Sequence, residues 1–507
     1  MPLDDAALAR IAPYVSSTTD DVFALSGLPE EVIAVLFAYY SRSRDDLRTN
    51  LARLLTDQEI NVVEGAAGRP AFGLATQKAR AFHEKWVVGY GHASVAEHAV
   101  VHLALENVSI IASKVIEDLR LGSFTEKSTR YVVFDRNSFV DLPVLGDELG
   151  PLYRKACENL FTSYMDLMPR VTEALEARIP RGQMSDAAYA AAIRAQACDL
   201  LRGLLPAGTR TNLGLSANAR ALEGLLSKMF SSPLLELRAL AAAMHRASIT
   251  VVPTLVKYAK ENQYRMTLRD VVQDKLRTIY DPGPWDASAT NVLGQSVRLV
   301  HYDRDALDRI ILALAYDGSE PGVHVRGIVE AMKHATKAER EGIIQAALSR
   351  RGPHDPACRA FESASLTVEL LLDYGAYRDL QRHRMLTPST QRLTCRLGFE
   401  TPAELSDMGF GMEYARAMLG VVDAWEQIDA KFPMEAQYTV PLGFRVRTLW
   451  TLNLREAIHV MELRSAKQGH ASYRRVAQAM YRSLVRVFPW LEGHVRVDLE
   501  DYALARS

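Results

Sequence analysis

Apolar residues recur at helical spacing through most of this chain, and the stretches that break the rhythm are short. Ile33, Leu36 and Phe37 fall on one face of a helix predicted over residues 27–55. Pro29 opens that helix, and the charges of Glu30 and Glu31 suit its positive end. Residues 75–88 carry the same spacing until Gly89 to Gly91 ends it. Ser94 followed by Glu97 matches a capping box. Alternation then takes over: Val101, Leu103 and Leu105 share one face and predict a strand. Helical spacing returns over 109–121, 150–176, 185–204 and 218–247, with breaks at Pro206 to Gly208 and near Pro233. Further helices are predicted over 325–349, 374–385, 411–430 and 454–487. The apolar run from Leu366 to Leu372 fits either a strand or a buried helix segment.

The pattern repeats once. Residues 31–39 (EVIAVLFAY) are echoed by 308–316 (DRIILALAY). Leu205-Pro206-Ala207-Gly208-Thr209-Arg210 is echoed by Val440-Pro441-Leu442-Gly443-Phe444-Arg445, and Asn218-Ala219-Arg220 by Asn453-Leu454-Arg455, both at an offset of 235. So long a period excludes a solenoid and points to a duplicated domain. The copies are predicted over 1–280 and 293–507, with a Pro- and Gly-bearing linker at 281–292 and an insertion in the first copy at about 132–204.

Composition changes little in this picture. A chain of 507 residues, 48% hydrophobic and 24% charged, is expected to hold two or three globular domains. A net charge of −1 provides no global field toward nucleic acid or membrane, so neither is expected as a partner. Cys157, Cys198, Cys358 and Cys395 lack CxxC spacing, which argues against a disulfide framework or a cysteine zinc site. The first residues lack an apolar signal core, and the expected location is cytoplasmic.

The chemistry concentrates in two segments. Arg378, Arg382, Arg384, Arg392 and Arg396 cluster in a near-neutral chain; guanidinium forks suit phosphate and diphosphate oxygens, and a solvated basic face or a set of ion pairs remains the alternative. Arg378 and Arg382 share a face if the helix continues past them. Ser128, with the backbone from Glu126 through Lys127 and Thr129 to Arg130, suits a phosphate or forms an ordinary capped turn. His98 and His102 stand four apart, in the order EHxxxH with no third ligand, so no metal site is expected.

Gly91-His92-Ala93-Ser94-Val95-Ala96-Glu97-His98 resembles the GHxSxxEH segment of the flavin-dependent thymidylate synthases. Arg120, Ser128, Arg130 and Tyr131 resemble the end of that family's RHRx7S signature and the x-R-Y after it, with Asp118 and Leu119 in place of its first two residues. The second half supplies Arg382-His383-Arg384, with Arg392 in place of the serine, and the later T-x-N-x-R as Thr451 to Arg455, then Arg464 and Arg474. The resemblance implies an α+β fold of two tandem thymidylate-synthase-complementing-type domains, each a β-sheet packed with long helices. It implies FAD as cofactor, NADPH and methylenetetrahydrofolate as co-substrates, and conversion of dUMP to dTMP. It implies Arg474 as the group polarising the uracil edge, with Arg238 as its first-half counterpart. Glu126, Lys127, Ser128, Thr129, Arg130, Arg382 and Arg447 would bind substrate, with Asn212 at the first-half position of Arg447. His92, Ser94, Glu97, Arg120, Arg382, His383, Arg384 and Arg464 would bind cofactor. Two chains would form a homodimer equivalent to a tetramer, with composite sites; the departures from the signatures favour a diverged or non-catalytic nucleotide or flavin binder, or an enzyme for another pyrimidine.

Overall fold

Asp4 opens the first helix by accepting the Ala7 N–H at 2.7 Å. In this computed structural model, which describes residues 3–40, 44–56, 62–64, 70–72, 93–280 and 296–502, the chain divides into two compact units. The first comprises Met1–Val108, Val115–Glu126 and Asn212–Pro282; the second comprises Ser109–Lys114, Lys127–Thr211 and Gly283–Ser507. The helix expected over 75–88, His92 and the linker at 281–292 lie outside the described residues.

In the first unit, α1 (Asp5–Ile11), α2 (Glu30–Tyr40) and α3 (Leu47–Thr56) close around Ile11, Val35, Leu36 and Leu51. The helix expected over 27–55 is thus two, because Asp46 accepts the Thr49 N–H at 2.7 Å and starts a new one. Strands β1 (Val62–Glu64) and β2 (Pro70–Phe72) pair antiparallel. A 3-10 turn at Ala93–Glu97 leads into β3 (Val100–Ser109), where Val101 and Leu105 are buried as the alternation predicts. Asn107, at φ +57°, then shifts the alternation so that Val108 turns inward. The helix expected over 109–121 is α4 (Ile110–Glu117), followed by β4 (Gly122–Glu126).

The second unit receives the long α5 (Gly146–Arg178) and α6 (Asp186–Leu201), before β5 (Arg210–Asn218) completes the first sheet in the order β3-β5-β4. Tyr153, Cys157, Leu160, Phe161, Tyr164, Leu167 and Val171 form the buried stripe of α5. α7 (Ala219–Phe230), α8 (Leu235–Ser248) and α9 (Gln263–Leu276) close the first copy. The second copy runs through β6 (Val297–Tyr302), α10 (Ala306–Asp317), α11 (Val325–His334) and α12 (Lys337–Ser349). It continues with β7 (Ser365–Asp373), α13 (Tyr374–Leu380) and β8 (Thr387–Thr390). α14 (Gly411–Leu419), α15 (Val422–Lys431), β9 (Arg445–Asn453), α16 (Leu454–Ser465) and α17 (Ala471–Val487) follow. The second sheet has the order β6-β7-β9-β8. The run from Leu366 to Leu372 is therefore strand, buried on most positions between β6 and β9.

The two copies share a strand order, a helix cap and an ion pair. The middle strands keep one order, β3-β5-β4 and β7-β9-β8. Asn218 and Asn453 each cap the helix that follows by accepting an N–H three residues on. The next N–H in each, Ala219 and Leu454, donates to the carbonyl of Ala99 and Ala364. Glu97 pairs with Arg220, and Glu362 pairs with Arg455 at 2.7 Å. This pairing is why Glu97 does not close the expected capping box on Ser94: its carboxylate is held by Arg220.

Within the second unit the two echoed LPAG and VPLG segments meet. Ala207 N–H donates to the Val440 carbonyl and Leu442 N–H to the Leu205 carbonyl, each at 2.8 Å. Gly208 N–H donates to the Tyr438 carbonyl and Gly443 N–H to the Gly203 carbonyl, also at 2.8 Å. Every bond has its reciprocal, as a local twofold axis demands. Glycine is required here by space. A Cβ on Gly208 would stand 2.5 Å from the Tyr153 hydroxyl and 3.0 Å from the Tyr438 carbonyl oxygen; one on Gly443 would stand 2.7 Å from the Tyr414 hydroxyl. Gly208→Ala is expected to lose about 1–3 kcal/mol of stability, because the backbone on the far side cannot yield. Urea denaturation checks this, and an unchanged midpoint would mean the seam is loose.

Candidate functional site

Arg130 leaves the Ser128 turn of the first copy and is buried in the second unit. Its Nε and Nη2 donate to the two Asp199 oxygens, each at 2.8 Å, and its Nη1 donates to the Tyr473 hydroxyl at 2.9 Å. Burial works against the charge on Arg130, and the Asp199 carboxylate more than offsets it, so the guanidinium stays protonated. Arg464 also lies over Tyr473, 5.7 Å from the ring centre. Behind them Arg202 donates to Asp379 at 2.9 Å. Burial raises the Asp379 carboxyl, but Arg202, Arg130 and Arg382 together hold it well below the usual carboxylate range. The sequence reading missed Asp199, Arg202 and Asp379. Arg202 sits just before the first LPAG echo, but at the same offset the second copy has Gln437, so repeat matching passes over it.

Next to this ion cluster lies a hydrogen-bonded line of three. Arg464 Nε donates to His383 Nε2 at 2.8 Å, and His383 Nδ1 stands 3.0 Å from Glu456 Oε1. Burial, with Arg464 close by, lowers the His383 pKa despite Glu456. α13 ends at Leu380 instead of running to residue 385, since the Gln381 side chain turns to the Lys114 carbonyl at 2.9 Å and His383 turns inward. Arg378 and Arg382 therefore do not share a helix face: Arg378 is buried on α13 and Arg382 is exposed beyond it.

A cleft of about 660 Å³ opens beside the cluster, lined in part by Asp199, Arg202, His470, Ser472, Arg474 and Tyr502. Arg202 Nη2 is buried and has no hydrogen-bond partner among the described residues. His470 caps α17: its Nδ1 accepts the Ser472 N–H at 3.1 Å, and its Nε2 lies 3.1 Å from the Asp199 carbonyl oxygen. Burial and the Arg202 charge bring its pKa down to about 4. Arg474 is only 4% exposed. Its Nε donates to the Ser465 carbonyl at 2.7 Å, its Nη2 donates to the Glu500 carbonyl at 2.8 Å, and Tyr502 lies over it at 4.8 Å.

The sequence matches the family model described as thymidylate synthase complementing protein twice, over residues 36–254 and 298–490. The chain belongs to the thymidylate synthase complementing protein family. A UPF0159 protein of Chlamydia pneumoniae is 34% identical over 515 residues, spanning 98% of this chain and 95% of that protein. A UPF0159 protein of Thermoplasma acidophilum is 30% identical, spanning 84% and 90%. A flavin-dependent thymidylate synthase of Thermococcus kodakarensis is 28% identical over 155 residues, which is 31% of this chain and 56% of that enzyme. Among the described residues, no helix is long and apolar enough to cross a membrane.

The two thymidylate-synthase-complementing copies have kept different groups. Glu97, Arg120, Arg220 and Lys228 border a cleft of about 500 Å³ in the first unit. There Asp118 pairs with Lys228 at 2.7 Å, where the second copy has Arg382. At the positions of His383, Glu456 and Arg464 the first copy has Leu119, Ala221 and Met229, all apolar. Ser94 sits in the 3-10 turn before β3, and Arg238 is exposed on α8, at the position that Arg474 occupies on α17. Glu126 ends β4, Lys127 lies over Phe134 at 4.5 Å, Thr129 is buried, and Ser128 Oγ accepts the Arg130 N–H at 3.2 Å. Arg447 pairs with Glu369 at 3.2 Å across β7 and β9, and Arg384 is half-buried. Asn212, opposite in role, accepts the Asn107 N–H at 3.1 Å and so braces the β3 irregularity. Arg396 turns to Trp425 at 5.3 Å and to Asp429 at 3.8 Å. His98 packs on Phe37 at 4.8 Å, and His102 Nδ1 meets the Ser216 hydroxyl at 2.7 Å.

Proposed function

We propose that the chain is a flavin-dependent thymidylate-synthase-type enzyme converting dUMP to dTMP at a site composed from both copies. The observation that carries this reading is the contact of Arg130 from the first copy, through Tyr473, with Arg464 of the second. The donor set suits phosphoryl oxygens: the buried Arg202 Nη2 has no hydrogen-bond partner among the described residues, and Arg382 is exposed beside the same cluster. When bound, FAD reduced by NADPH supplies hydride, and methylenetetrahydrofolate supplies the carbon.

On this reading Arg382, His383, Arg384 and Arg464 hold the cofactor diphosphate. Lys127, Ser128, Thr129 and Arg130, with Glu126 before them and Arg382 and Arg447 from the second copy, hold the nucleotide. Arg474 is the fixed cation that favours ionisation at N3 of the uracil, and Arg238 stands for it in the first copy. Ser94, Glu97 and Arg120, with His92, serve cofactor binding in the first copy. A homodimer of this pseudo-dimeric chain completes the proposal.

The test uses Ser128→Ala and Arg382→Ala, each in the full chain. Each is expected to lower affinity for FAD or dUMP by about tenfold or more, since each removes a hydrogen bond to a charged group. Absorbance titration of flavin, then dUMP, reads it. Full binding and turnover in either variant would sink the composite scheme. A second reading, a diverged nucleotide or flavin binder, is favoured by the Arg474 geometry, with two of its nitrogens already given to backbone carbonyls. Flavin and dUMP binding without rescue of a thymidine-requiring strain would support that reading.

A further inference from the structure

Hydrogen positions around His383 are fixed by elimination. Arg464 Nε carries a hydrogen and can only donate, so His383 Nε2 must present its lone pair. The single ring proton then sits on Nδ1, where the Glu456 carboxylate accepts it. His383 is 4% exposed, so its ring is enclosed by protein. The ring also meets the His459 ring edge-on at 5.0 Å, which limits its rotation.

We infer that Glu456 is a positioning residue: by holding His383 in its Nδ1–H tautomer, it fixes the Arg464 guanidinium for a phosphoryl-bearing ligand. The inference rests on the proposed reading of the site, and it adds a residue that the motifs do not mark. Two observations carry it. Arg464 is held through Nε, the nitrogen that sets the direction of the whole fork, so the orientation of its Nη groups follows from the His383 lone pair. And the line is kept or lost as a unit: where the second copy has His383, Glu456 and Arg464, the first has Leu119, Ala221 and Met229. If Glu456 merely capped or solubilised α16, nothing would tie its replacement to that of the other two. A carboxylate that sets a histidine tautomer from behind is a common way of orienting a working group in front.

The phosphoryl oxygens that meet Arg464 belong either to the flavin diphosphate or to the nucleotide 5′-phosphate, and the experiment separates the two. Full-length wild type, Glu456→Gln and Glu456→Ala are compared by nitrogen-15 NMR of the histidine rings, with His383→Asn identifying the His383 signal. Dissociation constants are measured separately for FAD and for dUMP. Glutamine keeps a carbonyl acceptor and is expected to retain the Nδ1–H signature and near wild-type affinity. Alanine is expected to give mixed tautomers and to weaken one ligand, the one whose phosphoryl group Arg464 holds, by about tenfold. An Nδ1–H signature unchanged in Glu456→Ala would overturn the inference. So would a lower melting temperature with both constants unchanged, which is the mark of a purely structural role. If wild type binds neither ligand, the proposed function falls and the ligand part of this inference with it, while the ring signal still decides whether Glu456 sets the tautomer.

Discussion

Replacing Arg130 with alanine is expected to cost about 3–5 kcal/mol of stability, the range for stripping one partner from a buried ion pair. Both side chains of the Arg130–Asp199 pair are close to fully buried, at 10% and 8% exposure. Without the guanidinium, the Asp199 carboxylate keeps its desolvation penalty and loses the fork that offset it. The Tyr473 hydroxyl loses a donor as well. The double variant Arg130→Met with Asp199→Leu separates burial from charge. It is expected to recover most of the loss, because apolar residues of similar volume carry no uncompensated charge. Urea unfolding of wild type, single and double variants reads the difference. A single variant within about 1 kcal/mol of wild type, the scale of a surface pair, would show that water reaches the pair in solution.

Acid is expected to weaken the fold through His470. His470 is neutral in the folded chain, with its pKa brought down to about 4 by burial and the Arg202 charge. An unfolded histidine titrates near 6.5. Between those values the unfolded chain holds a proton that the folded chain does not, so stability falls as pH drops from about 6.5 to about 4 and is flat below for this group. The full loss is about 3 kcal/mol. Asp199 and Asp379, whose pKa values are depressed, act in a separate and lower window: their contribution is present above the ordinary carboxylate range and lost as pH falls beneath it. His470→Asn keeps a side-chain acceptor at the helix cap and removes the titration. Urea midpoints at pH 7.5 and 4.5 should therefore differ less in the variant than in wild type. Equal slopes in the two proteins would show that His470 is not the titrating group.

The sequence carried the architecture because a duplicated pattern states itself twice. Two gapless echoes at one offset sufficed to align β5 with β9 and α7 with α16, and the structure repeats the caps and the glutamate–arginine pairs at those positions. Local ends were harder to read. Asp46 restarting a helix and Gln381 ending one depend on single side-chain hydrogen bonds that periodicity does not register. The site divides the same way. Arg130, His383 and Arg464 stand in recognisable motifs, and they lie around one cluster. Their partners do not. Asp199, Asp379 and Glu456 are ordinary acids on ordinary helices until the fold brings them against buried arginines or a buried histidine.

The reciprocal bonds between the LPAG and VPLG segments bear on how such a chain behaves when it is scarce. In an assembly of separate subunits, groups from two copies meet only as often as the subunits do. Here both strands of the seam lie on one polypeptide, so their encounter is intramolecular, with an effective concentration set by the intervening chain. The cluster around Arg130 is then expected to persist under dilution that would separate a dimer. The covalent link also favours the meeting of the two unlike copies over that of like ones. The two copies can then differ where they meet, as Leu119, Ala221 and Met229 differ from His383, Glu456 and Arg464.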